Sequence, residues 1–144
     1  MVHTPSGKYR LVVRKAGKNI KVKCEKLWGF VLAKELYRTY GTGQYVKLVS
    51  EDKLYYFENG EAYLNKGTFI VGHYNFVAKT IDGELVPMPN PDSKPEIIQK
   101  YEQFKEANPQ YKKFFDCFDK SHDLEICRDC IDRFNYPDKI RPFQ

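Results

Sequence analysis

The sequence predicts an α+β fold in which an antiparallel, hairpin-rich sheet or small open barrel precedes a C-terminal unit of two or three helices. Aromatic-rich runs separated by glycine turns fill residues 44–88, a spacing typical of short antiparallel strands. Four prolines then fall within residues 87–95, and apolar residues at helical spacing follow them. We therefore expect a β-rich part over residues 1–88, a proline-rich connector over 89–95, and a helical unit over 96–144 that packs on the sheet as a single domain.

Composition limits the classes of protein to which the chain can belong. The chain has 144 residues, of which 42% are hydrophobic and 15% aromatic, so it can bury a core and is not expected to be disordered. No apolar run approaches roughly 18 residues, which predicts no membrane span. The N-terminal sequence lacks the apolar segment of a secretory signal, and four irregularly spaced cysteines do not resemble a secreted disulfide scaffold. A cytoplasmic protein is expected.

The first predicted element is a hairpin with one cationic side. Apolar and polar residues alternate over 8–15 and 19–25, with Ala16-Gly17-Lys18 as the loop, and this period of two predicts a half-buried antiparallel pair. Tyr9, Leu11, Val13, Ile20, Val22 and Cys24 would share the apolar side. The cationic side would carry the candidate binding residues, with the last three at its ends: Lys8, Arg10, Arg14, Lys21, Lys23, Lys15, Lys18 and Lys26.

Two interpretations of this cationic side remain open. Lys and Arg commonly solvate the open face of a sheet and protect an edge strand from aggregation. Alternatively, the side binds a polyanion, because a two-stranded ribbon fits the major groove and neutralised phosphates release counterions. Residues 1–50 carry 11 Lys and Arg against two Asp and Glu, whereas the rest of the chain carries 13 against 17. Such complete segregation indicates a polyanionic partner.

Residues 27–40 are compatible with two structures. A helix would align Trp28, Val31, Leu32 and Leu36 and would end at Gly41. A strand would alternate from Trp28 until Lys34-Glu35 breaks the pattern. The length of the segment and its Ala-Lys-Glu-Leu run favour a helix. Trp28, the single tryptophan, is expected to anchor the core rather than to serve as a base-stacking platform.

The middle of the chain predicts a series of short strands. Asn59-Gly60 suits a type I′ hairpin turn because both central residues of that turn need positive φ, and Asp82-Gly83 predicts a second hairpin. The expected strands lie near 44–49, 53–58, 61–65, 68–73, 75–81 and 84–88.

Three helices are expected after the connector. Ser93 and Glu96 form a capping-box pattern at the start of the first helix, which would end near Asn108 because the residue before a proline disfavours helix. The second helix opens at Pro109, and its apolar stripe is Tyr111, Phe114, Phe115 and Phe118. The third helix runs from about Asp123 to Phe134, and Pro137 follows its end.

One cluster in this helical unit has the composition of a metal site. Four soft or borderline ligands lie within 14 residues, namely Cys117, His122, Cys127 and Cys130, and together they could form a tetrahedral zinc site. Cys127 also fits the apolar stripe of its helix, so buried core thiols explain the same pattern. A redox or disulfide role is a third interpretation. No other cofactor is indicated.

No set of catalytic residues is visible in the sequence. Ser121-His122-Asp123 are neighbours in the chain, whereas the members of a catalytic triad come from separate elements. The expected function is therefore a non-enzymatic binding module for nucleic acid or another polyanion. The alternatives are a protein-interaction or inhibitor module of the kind supplied by small accessory or viral proteins, and a small enzyme whose site leaves no motif. The expected partner is nucleic acid or an acidic protein surface, and no membrane.

Overall fold

The computed structural model describes residues 2–3, 9–23, 27–40, 44–60, 75–121 and 123–139. This part of the chain contains nine strands: β1 (Val2–His3), β2 (Tyr9–Lys15), β3 (Lys18–Lys23), β4 (Gly29–Leu32), β5 (Glu35–Tyr40), β6 (Gln44–Ser50), β7 (Tyr55–Asn59), β8 (Asn75–Ala78) and β9 (Val86–Pro87). It also contains the helices α1 (Pro95–Ala107), α2 (Lys112–Asp119) and α3 (Leu124–Asn135), and a 3-10 turn over Pro109–Tyr111.

The described strands form two sheets. One has the order β1-β2-β3, and the other is an open antiparallel sheet of six strands in sequence order from β4 to β9. Helices follow the sheets, which confirms the α+β class. No helix in the described ranges is long and apolar enough to cross a membrane.

The chain divides into two compact units, residues 1–48 with 57–72 and residues 49–56 with 73–144. The core of the first unit is Tyr37 and Tyr45, against which Leu27, Phe30 and Leu32 pack. The core of the second unit is larger and rich in aromatic rings; it contains Leu54, Tyr56, Val77, Val86, Met88, Tyr101, Tyr111, Phe114, Phe115, Phe118, Cys127, Cys130 and Ile131.

The prediction of a helix over residues 28–40 was wrong. These residues form the β4–β5 hairpin, whose turn residues Ala33 and Lys34 have φ of 52° and 68°. Phe30 and Tyr37 lie opposite each other in this hairpin, and their rings stack at 5.3 Å. Burial of this pair against Tyr45 favours the strand pairing, because packing on a pleated surface overrides a weak helix propensity.

The type I′ turns expected at Asn59-Gly60 and Asp82-Gly83 are not present, because none of these four residues has positive φ. Gly60 is a turn residue after β7 and donates its N–H to Tyr45 O at 3.0 Å. The strands expected at 61–65 and 68–73 lie outside the described residues. The β8–β9 hairpin pairs Phe76 with Pro87. Its connection is longer than two residues, and Gly83 N donates to Thr80 O inside it.

The three helices follow the sequence prediction except at one cap. α1 begins at Pro95 with Lys94 as its N-cap and no side-chain capping bond. Ser93 Oγ instead accepts from Asn90 N at 2.9 Å, so the capping-box prediction was wrong because the serine lies one position too early. At α3, Asp123 Oδ1 accepts from Glu125 N at 2.9 Å, as expected of an N-cap aspartate.

Candidate nucleic-acid interface

The basic hairpin is built by β2 and β3 with a two-residue turn. Ala16 and Gly17 have φ of 53° and 77°, as a type I′ turn requires. The turn sets the register, in which Arg10 pairs with Lys23 and Arg14 with Asn19. This register determines which residues share a face, because residues that lie opposite each other in an antiparallel pair are on the same side of the sheet.

The register brings four of the predicted cations to one face. These four residues, Arg10, Arg14, Lys21 and Lys23, lie on the same face of the hairpin, with Val12 between the two arginines. This set of four is called the basic face below. Lys15 and Lys18 pair with each other beside the turn and lie on the opposite face of the hairpin. Lys8 and Lys26 lie outside the described residues.

Most described side chains of the hairpin are exposed, and Val22 is partly buried. Arg14, Lys18, Lys21 and Lys23 are exposed. Ile20, expected on a half-buried apolar side, is 44% exposed, so that side is less covered at this position than the alternation predicted. Cations in such a setting keep access to a large ligand.

Like charges oppose one another in this hairpin. Arg10 pairs with Lys23 and Lys15 pairs with Lys18, and directly opposed like charges destabilise a strand pair. The sequence up to Cys24 contains no Asp or Glu that could offset them. A polyanion placed along the basic face would relieve the repulsion between Arg10 and Lys23, whereas Lys15 and Lys18 lie on the opposite face.

A second feature of the first unit is the side chain of Trp28, and the prediction that it anchors the core was wrong. Its side chain is 48% exposed. The Arg38 guanidinium carbon lies 5.6 Å from the Trp28 ring centroid and 5.5 Å from that of Phe57, within the range of cation–π contacts. As the single tryptophan of the chain, Trp28 can be singled out from the sequence, whereas its exposure and its contact with Arg38 cannot.

The four predicted metal ligands are not brought together as one set in the described residues. Cys117 and Cys130 form a disulfide that links α2 to α3. Cys127 is a buried thiol whose Sγ lies 3.7 Å from Asn75 Nδ2, and His122 lies outside the described residues. Among those residues, no group of three or more His, Cys, Asp and Glu side chains is arranged to hold a metal ion. A tetrahedral thiolate site would need the disulfide reduced, so zinc binding stays a prediction for the reduced chain.

No protein-family model, curated protein or solved structure matches this chain.

Proposed function

We propose that the protein is a non-enzymatic module that binds nucleic acid or another polyanion through the basic face of the β2–β3 hairpin. The supporting observation is the register, which aligns Arg10 and Arg14 with Lys21 and Lys23 on one face of a ribbon, and Arg14, Lys21 and Lys23 are exposed. Lys and Arg along a ribbon neutralise successive phosphates and release their counterions, which is the main source of sequence-independent affinity.

The charge pattern of the hairpin differs from that of the helices, and this difference favours binding over simple solvation. On the helices, cations are matched by acids one turn away, as in Lys112–Asp116 at 2.6 Å and Arg133–Asp129 at 2.7 Å. On the hairpin, the opposed pairs Arg10–Lys23 and Lys15–Lys18 are of like charge. Each such pair costs on the order of 0.2–1 kcal/mol. A polyanion bound to the basic face would offset the cost of Arg10–Lys23, whereas Lys15–Lys18 lies on the opposite face.

The test compares two charge-reversal variants by fluorescence anisotropy with short mixed-sequence DNA and RNA at about 50 mM salt. The first variant is Arg10→Glu, Arg14→Glu, Lys21→Glu and Lys23→Glu. The matched control makes the same change of net charge at exposed lysines of the second unit: Lys79→Glu, Lys94→Glu, Lys113→Glu and Lys120→Glu. We expect the hairpin variant to lose binding and the control to keep most of it. Binding retained by the hairpin variant would contradict the proposal.

A second candidate function, a protein-interaction or inhibitor module, is favoured by exposed apolar side chains beside the first unit's core. Trp28 is 48% and Val31 67% exposed, and tryptophan is enriched at the energetic centres of protein interfaces. Its partner would present an acidic surface to the basic face. A stoichiometric complex that survives nuclease treatment would favour this function over nucleic-acid binding.

A cytoplasmic location and zinc binding belong to the same proposal. In a reducing cytoplasm Cys117 and Cys130 would be thiols, and with Cys127 and His122 they would supply a Cys3His ligand set. Cys127 and Cys130 are three residues apart on α3 and so lie on one side of it. Metal analysis of the reduced protein should find about one zinc per chain, and freely titrating thiols without metal would contradict the site.

A further inference from the structure

We infer that the nucleic acid bound by this protein is single-stranded and that one of its bases stacks on Trp28. This inference rests on the proposed nucleic-acid function and adds the class of ligand. It is carried by a half-exposed indole whose backbone is held by hydrogen bonds and whose ring lies beside a buried guanidinium.

Trp28 leaves an unusually large apolar surface open. It is 48% exposed, although tryptophan carries the largest hydrophobic area of any side chain and generally gains most from burial. Its strand neighbours Phe30 and Leu32 pack against the core of the first unit. The exposed indole is therefore available as a flat stacking surface.

The backbone on both sides of this indole is held firmly. Trp28 O accepts from Thr39 N at 2.8 Å. The single hydroxyl proton of Thr39 is shared between Leu27 O at 2.6 Å and Trp28 O at 3.0 Å. A Cβ added at Gly29 would lie 2.5 Å from Tyr37 O, so this position requires glycine. A fixed platform lowers the entropic cost of binding.

Arg38 supports the indole from one side. Its guanidinium lies 5.6 Å from the Trp28 ring and 5.5 Å from the Phe57 ring, and the residue is only 9% exposed. The exposed part of Trp28 is thus left for a base.

The combination of a basic ribbon and an open aromatic ring is the pattern by which proteins bind single strands. Bases in a duplex are stacked on one another and cannot place a face on a side chain, whereas unpaired bases can. Trp28 follows Lys23, the last residue of β3, by five positions, so their Cα atoms are at most about 18 Å apart. A strand of a few nucleotides can contact both.

The first arm of the test titrates the protein with oligothymidine, oligouridine and a mixed-sequence duplex while the tryptophan fluorescence is recorded. Trp28 is the single tryptophan, so any quenching by base stacking reports on this ring alone. We expect both single strands to quench the emission and the duplex to leave it nearly unchanged. The two single-strand arms also distinguish DNA from RNA.

The second arm measures affinity by anisotropy in three variants. Trp28→Ala should weaken single-strand binding by roughly 5- to 140-fold, which is the loss of affinity expected when one base loses its stacking partner. The salt dependence of binding should not change. Trp28→Phe keeps a ring and should keep most of the affinity, which controls for folding. Val31→Ala removes a more exposed apolar side chain of the same hairpin and should change affinity by about twofold or less.

The outcomes separate this inference from the function on which it rests. Salt-sensitive binding without quenching, full affinity in Trp28→Ala, or tighter binding of the duplex would each overturn the stacking inference and leave the hairpin proposal in place. Absence of binding to all three nucleic acids would overturn both.

Discussion

Asn135 satisfies both backbone hydrogen-bonding groups of Leu54, a residue 81 positions earlier in the chain. Asn135 Oδ1 accepts from Leu54 N at 3.0 Å and from Lys53 N at 3.2 Å. Its Nδ2 donates to Leu54 O at 2.8 Å and to Ser50 Oγ at 2.9 Å. Asn135 is 2% exposed. These four bonds use the full hydrogen-bonding capacity of its amide and connect the segment before β7 to the end of α3.

Replacing Asn135 should therefore be costly. Asn135→Leu would leave the buried Leu54 N–H and C=O without partners, at about 1–3 kcal/mol for each unsatisfied group. The matched variant Ser50→Ala removes one of the four bonds and should cost about 1 kcal/mol. Urea denaturation measures the free energy of unfolding of both variants. If Asn135→Leu lost less unfolding free energy than Ser50→Ala, the Asn135 amide would not be the group that holds Leu54 in place.

The Cys117–Cys130 disulfide should contribute strongly to the stability of the helical core. The two cysteines are 13 residues apart. Closing a loop of this size lowers the entropy of the unfolded chain, and this should raise the free energy of unfolding by about 3 kcal/mol. Reduction of the wild type, or the double variant Cys117→Ser with Cys130→Ser, should lower the free energy of unfolding by about that amount. A reductant should have no further effect on the double variant. Equal stability with and without reductant in the wild type would rule the contribution out.

Tyr101 should make the protein less stable in alkali. Its hydroxyl donates to Asp119 Oδ1 at 2.9 Å, and burial, followed by the charge of Asp119, raises the pKa of Tyr101 well above its ordinary value. A pKa raised by folding means that the stabilisation is complete below about pH 10 and is lost as the pH rises further, since the unfolded chain then ionises first. Burial lowers the pKa of Lys105. The hydrogen bonds that Lys105 makes with Asp119 and Glu102, together with the negative charges of these residues, outweigh burial and raise the pKa. The contribution of Lys105 to stability is therefore also lost as the pH rises.

Tyr101→Phe tests this pH dependence. At neutral pH the variant should lose about 1 kcal/mol with the hydrogen bond. Above about pH 10 the decline of its stability with pH should be shallower than that of the wild type. Urea denaturation over this pH range gives both slopes, and identical slopes would exclude Tyr101 as the titrating group.

Gly60 should tolerate no side chain. A Cβ at this position would lie 2.2 Å from Tyr45 Cδ2, and the Tyr45 ring is 1% exposed and packs edge-on against Phe30 and Tyr37. Gly60→Ala should cost on the order of 1–3 kcal/mol through overpacking. The control Gly17→Asn occupies a turn with no atom within 4 Å and a φ that asparagine tolerates, so its effect should stay within about 0.5 kcal/mol. Comparable thermal stability of the two variants would contradict the steric account.

The basic face could be predicted from the sequence because a period of two leaves only one assignment of residues to faces. The alternation alone placed Arg10, Arg14, Lys21 and Lys23 together, and the register agrees. The turn was harder, because Ala16-Gly17-Lys18 reads equally well as a three-residue loop. In the two-residue turn Lys18 belongs to β3 and lies opposite Lys15.

Features that depend on packing between distant segments could not be predicted. The β4–β5 turn at Ala33 and Lys34 has positive φ without glycine or asparagine, so the local sequence favours a helix. Thr39, eleven residues later, donates to the Trp28 carbonyl, and the local sequence predicts neither this bond nor the exposure of the indole. The pairing of Cys117 with Cys130 depends on how α2 packs against α3, and cysteine spacing alone also permits core thiols or a metal site.

The most direct test of the central claim is the salt dependence of nucleic-acid binding by the wild-type protein, measured by fluorescence anisotropy at about 50 and 200 mM salt. If the four cations of the basic face each neutralise one phosphate, affinity should fall by roughly 50- to 150-fold between these conditions. Absence of binding at about 50 mM, or affinity that does not change with salt, would contradict the assignment of the β2–β3 hairpin as a phosphate-binding face.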